Sequence, residues 1–134
     1  GFAGGADGRE AVMCGTGLAA LGIGAGDVVA LFAENSPRWL VADQALMRLG
    51  AADAVRGSSA PAEELRYIAA DSGAVALVLE SAVLLAQLQP PPELLGRLRA
   101  IVLLQGALPA ELPAGVPCCW TRFPPRFRWL ALCS

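Results

Sequence analysis

Three short apolar runs, separated by helical patterns, constrain the fold of this chain most strongly. They occupy residues 28–33, 74–79 and 100–104, and each is too short for a helix of ordinary length. An uninterrupted apolar run is typical of a strand that is buried on both faces of a parallel sheet. The alternation of such runs with helical segments therefore predicts an α/β fold, with mostly parallel strands joined by helices.

The segment after the first run carries the clearest helix signals. Ser36 can cap the first N–H groups of a helix, and Pro37 suits the first helical position. The helix is predicted to run to about Leu49 and to end at Gly50. Its wetter side carries Arg38, Asp43 and Arg48, and its broad apolar face comprises Trp39, Leu40, Ala42, Leu46, Met47 and Leu49.

The other predicted elements are shorter. Residues 52–56 form an extended piece, and a helix that opens near Pro61 ends at residues 71–73. Two more helical segments cover residues 82–88 and 93–98. In the second helix Leu65, Ile68 and Ala69 have the spacing of one buried stripe. Residues 9–21 are weakly helical, with core positions predicted at Val12, Leu18 and Leu21.

The chain divides into three parts at this stage. With 134 residues it has the size of one domain. Residues 1–8 contain four glycines and are expected to form a flexible lead. Residues 9–106 carry the α/β pattern. Residues 107–134 form a divergent tail rich in proline, cysteine and aromatic residues, in which Pro117, Pro124 and Pro125 are expected to interrupt any regular element.

The residue types present exclude several kinds of chemistry. The chain has no histidine, and all 10 of its basic residues are arginine. It therefore contains no Ser-His-Asp or Cys-His nucleophile system, no histidine metal ligand and no lysine for a Schiff base or a phosphate loop. The four cysteines lack the spacing of a zinc site and are expected to be free thiols.

Charge and hydropathy restrict the partners. A net charge of −2 provides no field that would gather nucleic acid or an anionic membrane. No run reaches the roughly 18 uncharged apolar residues of a membrane span. Because the chain begins at Gly1 and shows no signal pattern at its start, we expect it to be a fragment of a longer protein.

Four segments invite a functional interpretation, and none supports a site residue. The glycines of residues 22–27 precede a strand, whereas a dinucleotide fingerprint follows one. The turn at residues 57–59 could present N–H groups to an anion, but a capping turn is favoured. Glu63 and Glu64 face different directions on a solvated helix. The arginine and aromatic side chains of the tail only loosely resemble a surface for single-stranded nucleic acid. Catalytic, cofactor-binding and metal residues are therefore all predicted as none.

The order of motifs in residues 21–80 resembles the N-terminal subdomain of the AMP-forming acyl-CoA synthetases, members of the adenylate-forming superfamily. The matching strings are LGIGAGDVVALFAENSPRWLVADQALMRLGA and PAEELRYIAADSGAVALVLES. The stretch AVRGSSAPAEEL is more similar to the plant-type plastid acyl-acyl carrier protein synthetases, which implies a plastid location. The likeness fades beyond about Gln105.

The resemblance implies a parent activity rather than a site in this chain. Such enzymes use ATP and magnesium to convert a long-chain fatty acid to an acyl-adenylate, and then pass it to coenzyme A or acyl carrier protein. They hold ATP with a Ser/Thr/Gly-rich loop that ends in lysine, and a further lysine assists adenylation. This chain has no lysine and only two threonines, Thr16 and Thr121. We therefore expect the fragment alone to bind no cofactor and to be inactive.

Three other interpretations remain open. The chain could be a noncatalytic α/β module that binds a partner through the edge of an incomplete sheet. It could also be a pseudogene product. The alternating pattern alone also suggests an oxidoreductase-like nucleotide-binding fragment. If the sheet is cut from a larger domain, apolar segments such as residues 28–33 are expected to be partly uncovered, which favours aggregation.

Overall fold

The computed structural model describes residues 12, 14–105, 118–122 and 128–132, the last two ranges as backbone only. The N-terminal helical residues 14–20 form α1. The elements that follow are β1 (Val28–Phe32), α2 (Pro37–Arg48), β2 (Ala52–Arg56), α3 (Ala62–Asp71), β3 (Ala76–Leu79), α4 (Ala82–Leu88), α5 (Pro92–Arg97), β4 (Ala100–Leu103), β5 (Cys118–Arg122) and β6 (Arg128–Leu132).

Strands β1 to β4 form one parallel sheet in the order β2-β1-β3-β4, which confirms the predicted fold class. In the register of the two inner strands, Ala30 lies opposite Leu77 and Phe32 opposite Leu79. Every residue of β3 and β4 is buried, as is all of β1 except Val28. The uninterrupted apolar runs thus correspond to strands that have no wet face.

Two helical layers cover the sheet and explain this burial. On one face, α1 and α2 pack on Val29, Leu31, Val78 and Val102. On the other face, α3, α4 and α5 pack on the side chains that alternate with these, including Phe32, Leu77 and Ile101. The period of two along each strand divides the core into these two halves. The described residues therefore form three layers, with the sheet between the two layers of helices.

Helix α2 begins and ends as its sequence predicts. The side chain of Ser36 accepts a hydrogen bond from the N–H of Trp39 at 3.1 Å, and Pro37 is the first helical residue. At the other end Gly50 adopts φ 74°, a left-handed conformation that glycine tolerates without strain. Signals that act within a few residues therefore determine the bounds of this helix.

Two predicted core positions are wrong. Val12 is 49% exposed and Met47 is 69% exposed, although both fit an apolar stripe. Leu18 is buried as predicted, and Leu21 is partly buried against the same core. A helix that covers one face of a sheet buries a narrower stripe than its apolar residues span, so residues at the margin remain in solvent.

The expectation that residues 28–33 are partly uncovered is wrong for residues 29–33, and only Val28, at the start of β1, is half-buried. Leu31 and Phe32 have no exposed surface, and Ala33 is 3% exposed. Strand β1 is paired on both sides, by β2 and β3, and it lies between the two helical layers. The described residues therefore close their own core around this strand. None of their helices combines the length and the apolar character that crossing a bilayer requires.

The tail contains regular structure that the sequence does not predict. Strands β5 and β6 form an antiparallel pair in which Trp120 lies opposite Leu130, and β6 lies next to β4. The three prolines lie outside these strands, as the prediction that they interrupt regular elements requires: Pro117 precedes β5, while Pro124 and Pro125 lie between β5 and β6 in the sequence. Proline is tolerated outside a ladder. The predicted flexible lead, residues 1–8, lies outside the described residues.

We predict that Leu77→Ala lowers the free energy of unfolding by about 2–5 kcal/mol, because it leaves a cavity in the centre of the sheet. Leu77 has no exposed surface, whereas Val83 on α4 is 65% exposed. Val83→Ala is the matched control and should change the free energy of unfolding by less than about 0.5 kcal/mol. Urea unfolding followed by circular dichroism measures both. Equal effects would contradict the layered arrangement.

Candidate functional site at the carboxyl edge of the sheet

The carboxyl ends of the four parallel strands meet at one edge, where the connections after β1 and β3 leave the sheet on opposite faces. The chain leaves β1 toward the α2 face, whereas it leaves β3 toward the face covered by α4. The segments after these neighbouring strands therefore diverge. In open α/β sheets, such a divergence at the carboxyl edge is where ligands bind. This edge is the candidate functional site.

A polar cluster lies at this edge and joins the ends of three strands. The hydroxyl of Ser58, after β2, lies 3.0 Å from Oε2 of Glu80 and 3.3 Å from Oε1 of Glu34. The backbone N–H of Glu34 donates to Oε1 of Glu80 at 3.1 Å. The N–H of Ser59 donates to Oε1 of Glu34 at 3.2 Å. Two carboxylates thus connect the segments that follow β1, β2 and β3.

The donors that surround Glu34 hold the pKa of its carboxyl below the usual value, and the backbone N–H of Ser59 makes the largest contribution. A carboxylate that accepts several hydrogen bonds is stabilised in its charged form. The chain approaches it closely at Gly57, where a Cβ atom would lie 3.1 Å from Oε1 of Glu34. A side chain at this position would therefore have to displace the Glu34 carboxylate by a few tenths of an ångström.

The chemistry of this cluster suits donors rather than anions. Glu34 and Glu80 are hydrogen-bond acceptors when ionised, and Ser58 already bridges them. The nearby Arg38 donates to the carbonyl oxygen of Leu104 at 2.8 Å, at the end of β4. A phosphate at this position would meet two negative charges. The cluster can order the strand ends and bind a hydroxyl or an amine.

An open groove of about 470 Å³ lies beside the cluster, at the start of α2. Its lining residues are Asn35, Ser36, Pro37, Trp39 and Leu40. The indole Nε1 of Trp39 is buried there, and it has no hydrogen-bond partner among the described residues. The mostly apolar lining offers a surface for another apolar group, and the described lining residues include no acid–base pair.

The glycine-rich residues 22–27 form a structural turn at the opposite, amino edge of the sheet. Oδ2 of Asp27 accepts hydrogen bonds from the N–H of Gly24 at 2.9 Å and from Nη1 of Arg99 at 2.7 Å. The same Nη1 donates to the carbonyl oxygen of Gly22 at 2.9 Å. These contacts keep the pKa of Asp27 below its usual value, with the N–H of Gly24 as the largest cause. The turn therefore joins the start of β1 to the start of β4.

The turn at residues 57–59 combines parts of both sequence-based interpretations. It does present an N–H group to an anion, but the anion is the chain's own Glu34. The favoured interpretation was a plain turn with helix capping. The turn is confirmed by a hydrogen bond from the N–H of Ala60 to the carbonyl oxygen of Gly57 at 3.2 Å. Helix capping is wrong, because the N-cap residue of α3 is Pro61 and no side chain caps that helix. Glu64 pairs with Arg56 at 3.0 Å, and both side chains are well exposed, as expected of a solvated helix face.

A second carboxyl pair, which sequence reasoning missed, lies where α2 packs on the edge strand β2. Oδ2 of Asp53 is buried, and no N–H or hydroxyl donor among the described residues reaches it. When it is protonated, the neighbouring Asp43 carboxyl can donate a hydrogen bond to Asp53. This hydrogen bond, helped by desolvation and by charge repulsion, raises the pKa of Asp43 to about 6. One signal in the sequence could have indicated this pair. Asp53 is a carboxylate within a strand, at one of the alternate positions that face α2.

The described residues contain no group of three or more side chains suited to hold a metal ion. Cys14 is a free thiol buried under α2, and burial raises its pKa to about 12. A thiol with such a pKa stays protonated at neutral pH and is a poor nucleophile. The side chains of the three other cysteines and of the arginine and aromatic residues of the tail lie outside the described residues.

Comparison with known proteins adds a family match. Residues 8–116 match the family model described as "AMP-binding enzyme". The chain is 51% identical over 65 residues to an Arabidopsis thaliana protein named "Probable acyl-activating enzyme 16, chloroplastic". It is 41% identical over 90 residues to the Arabidopsis "Long-chain-fatty-acid--[acyl-carrier-protein] ligase AEE15, chloroplastic". These matches cover 48% and 67% of this chain, but only 9% and 12% of the two relatives.

Solved structures agree with the fold. The N-terminal domain of FACL13 from Mycobacterium tuberculosis superposes with a TM-score of 0.66 and 26% identity, over 74% of this chain and 25% of that domain. The anthranilate CoA ligase AuaEII, solved with anthranoyl-AMP, gives a TM-score of 0.70 at 24% identity, over 78% of this chain and 20% of that one. The second likeness concerns the fold alone.

We predict that Ser58→Ala raises the pKa of Glu34 toward its ordinary value, because the hydroxyl is one of the donors that stabilise the carboxylate. An NMR titration of the glutamate carboxyl carbons measures it. Ser72→Ala is the control, because Ser72 donates to Ala69 away from the cluster. A Glu34 pKa unchanged by Ser58→Ala would contradict the bridge. Because the folded-state pKa is lowered, the stability that Glu34 adds is lost as pH falls through that pKa.

We also predict that stability falls as pH rises through about 6, the pKa of Asp43. A raised folded-state pKa favours the folded state below the ordinary pKa, and this contribution is lost as Asp43 ionises. Asp43→Asn keeps a donor for Asp53 at every pH, so its advantage over the unmodified chain should be larger at pH 7.5 than at pH 5. Urea unfolding at the two pH values tests this. An advantage that does not depend on pH would rule out the shared proton.

Proposed function

The chain belongs to the AMP-binding enzyme family, and we propose that it is the N-terminal part of an ATP-dependent, AMP-forming ligase for long-chain fatty acids. The enzyme joins a fatty acid to AMP with loss of pyrophosphate. It then transfers the acyl group to the thiol of coenzyme A or acyl carrier protein. In this proposal the present chain supplies a structural part of the catalytic domain and is inactive by itself.

The observation that carries the proposal is the sequence agreement with the acyl-carrier-protein ligase, which is 41% identical to this chain over 90 residues. A Mycobacterium tuberculosis "Long-chain-fatty-acid--CoA ligase FadD15" adds 35% identity over 65 residues. Both names describe ligation of a long-chain fatty acid, and they differ in the acceptor thiol. The proposal therefore specifies the acyl substrate class and retains both acceptors.

The described residues do not fit the phosphates of ATP. At the carboxyl edge, the side chains between β1 and β3 are the carboxylates of Glu34 and Glu80, which would repel phosphates. A phosphate loop needs a lysine, and the chain has none. We therefore assign nucleotide binding to the part of the enzyme that this chain does not span. The contribution of Glu34, Glu80 and Ser58 is to hold three strand ends together.

A plastid location is part of the proposal. Both Arabidopsis relatives are named as chloroplastic. Plastids of the source organism, isolated and analysed by mass spectrometry, should contain peptides of this chain. Enrichment of these peptides in another compartment would contradict the location without affecting the proposed reaction.

We predict that residues 8–116 can replace the corresponding segment of the full-length Arabidopsis acyl-activating enzyme 16 and retain acyl-adenylate formation. The reason is that a segment contributing only scaffold is exchangeable when its core is preserved. Pyrophosphate release with ATP, magnesium and palmitate measures the first half-reaction. The 134-residue chain alone should release none.

Two controls make this test decisive. The chimera should unfold cooperatively at a temperature close to that of the unmodified Arabidopsis enzyme, which shows that it is folded. A chimera carrying Leu77→Ala should lose stability, since its altered side chain lies in the buried centre of the sheet. A folded chimera that forms no acyl-adenylate, or pyrophosphate release by the 134-residue chain alone, would overturn the proposal.

A further inference from the structure

The outer edge of strand β2 has no strand beside it among the described residues. At the other end of the sheet, the outer edge of β4 lies next to β6. Strand β2 is the first in the order β2-β1-β3-β4. An edge strand presents unpaired N–H and C=O groups that can pair with another chain segment. This edge extends over the five residues Ala52–Arg56.

The backbone groups that point outward from this edge can be identified. The N–H of Ala52 donates to the carbonyl oxygen of Asp27, and the carbonyl oxygen of Arg56 accepts from Ala33. Because pairing alternates along a strand, Ala52, Ala54 and Arg56 direct their backbone groups toward β1. Asp53 and Val55 direct theirs away from the sheet. A strand added to this edge would bond to these two residues.

One of these two side chains is exposed, and the other carries a buried carboxylate oxygen. Val55 is 45% exposed, and Asp53 has a buried oxygen that no N–H or hydroxyl donor among the described residues reaches. Both residues lie on the α2 face, since they are in register with Val29 and Leu31. Arg56 lies on the other face, where it pairs with Glu64. A neighbour that fits this edge would cover Val55 and bring a cation to Asp53.

We propose that the outer edge of β2 receives a further β-strand from the part of the acyl-activating enzyme that this chain does not span, and that this strand places an arginine or lysine beside Asp53. This inference rests on the proposed function. The chain covers only 9% and 12% of its two Arabidopsis relatives, so most of such an enzyme lies outside it. The two carboxylates Asp43 and Asp53 make the edge complementary to a basic strand. Main-chain bonds supply the pairing, and the cation sets its register.

A pair of proline variants tests the strand addition. Val55→Pro removes an outward N–H, whereas Ala54→Pro, the matched control, removes an N–H directed at β1. Each variant is made in the 134-residue chain and in the chimera with the full-length Arabidopsis enzyme. Ala54→Pro should lower the thermal midpoint in both proteins. Val55→Pro should lower it in the chimera alone, because only there is the outer N–H bonded.

Amide hydrogen exchange supplies a direct readout without any substitution. The Asp53 and Val55 amides should exchange at least roughly ten-fold more slowly in the chimera than in the 134-residue chain.

The substitution Asp53→Asn tests whether the added strand places a cation beside Asp53. In the 134-residue chain it removes repulsion from Asp43 and should raise the thermal midpoint at pH 8. In the chimera it removes the partner of the added cation and should lower that midpoint.

The outcomes separate the possible occupants. Exchange at Asp53 and Val55 that is equally fast in both proteins would overturn the proposal. Slow exchange already present in the 134-residue chain, together with a dimer in analytical ultracentrifugation, would overturn it in favour of a second copy. If both amides are protected in the chimera but no acyl-adenylate forms, the strand addition stands and the proposed function fails.

Discussion

The double pairing of strand β1 is the constraint on which the rest of the structure depends. It bonds to β2 on one side and to β3 on the other, and both of its faces are covered by helices. In such a position every backbone group has to be bonded within the sheet and every side chain has to be apolar. The sequence Val28–Phe32 meets both conditions. The other strands then take positions relative to this one.

Arginine side chains bind the ends of this framework. Arg38 bonds to the carbonyl oxygen at the end of β4, and Arg66 bonds to the last helical carbonyl of α4. Arg97 reaches carbonyl oxygens of Ala69, Ala70 and Ala74, and Arg99 bonds to Gly22 and Asp27. A guanidinium carries five donors in a rigid fork, so one side chain can satisfy several chain ends. The four arginines named here therefore act as structural residues that hold chain ends together.

Much of the fold was predictable because its signals are local or periodic. The run at residues 28–33, the Ser36 cap and the Gly50 stop all identify their elements within a few residues, and the structure agrees with each. The candidate site was less predictable. Glu34, Ser58 and Glu80 are far apart along the chain, and only parallel pairing brings the ends of β1, β2 and β3 together. The exposure of Met47 and the contact between Asp43 and Asp53 depend on where α2 lies across the sheet.

Within residues 14–105, the sequence by itself determined which residues form strands and helices, and with them the α/β class. It also determined the absence of lysine and histidine chemistry and the likeness to acyl-activating enzymes. These properties follow from composition and from patterns that extend over a few turns. Tertiary structure alone decided the strand order, the division of the core between two helical layers and the identity of the uncovered edge. It also decided that two pairs of carboxylates meet. Such contacts join residues that are distant in the chain, and their geometry depends on how the layers pack rather than on any local preference.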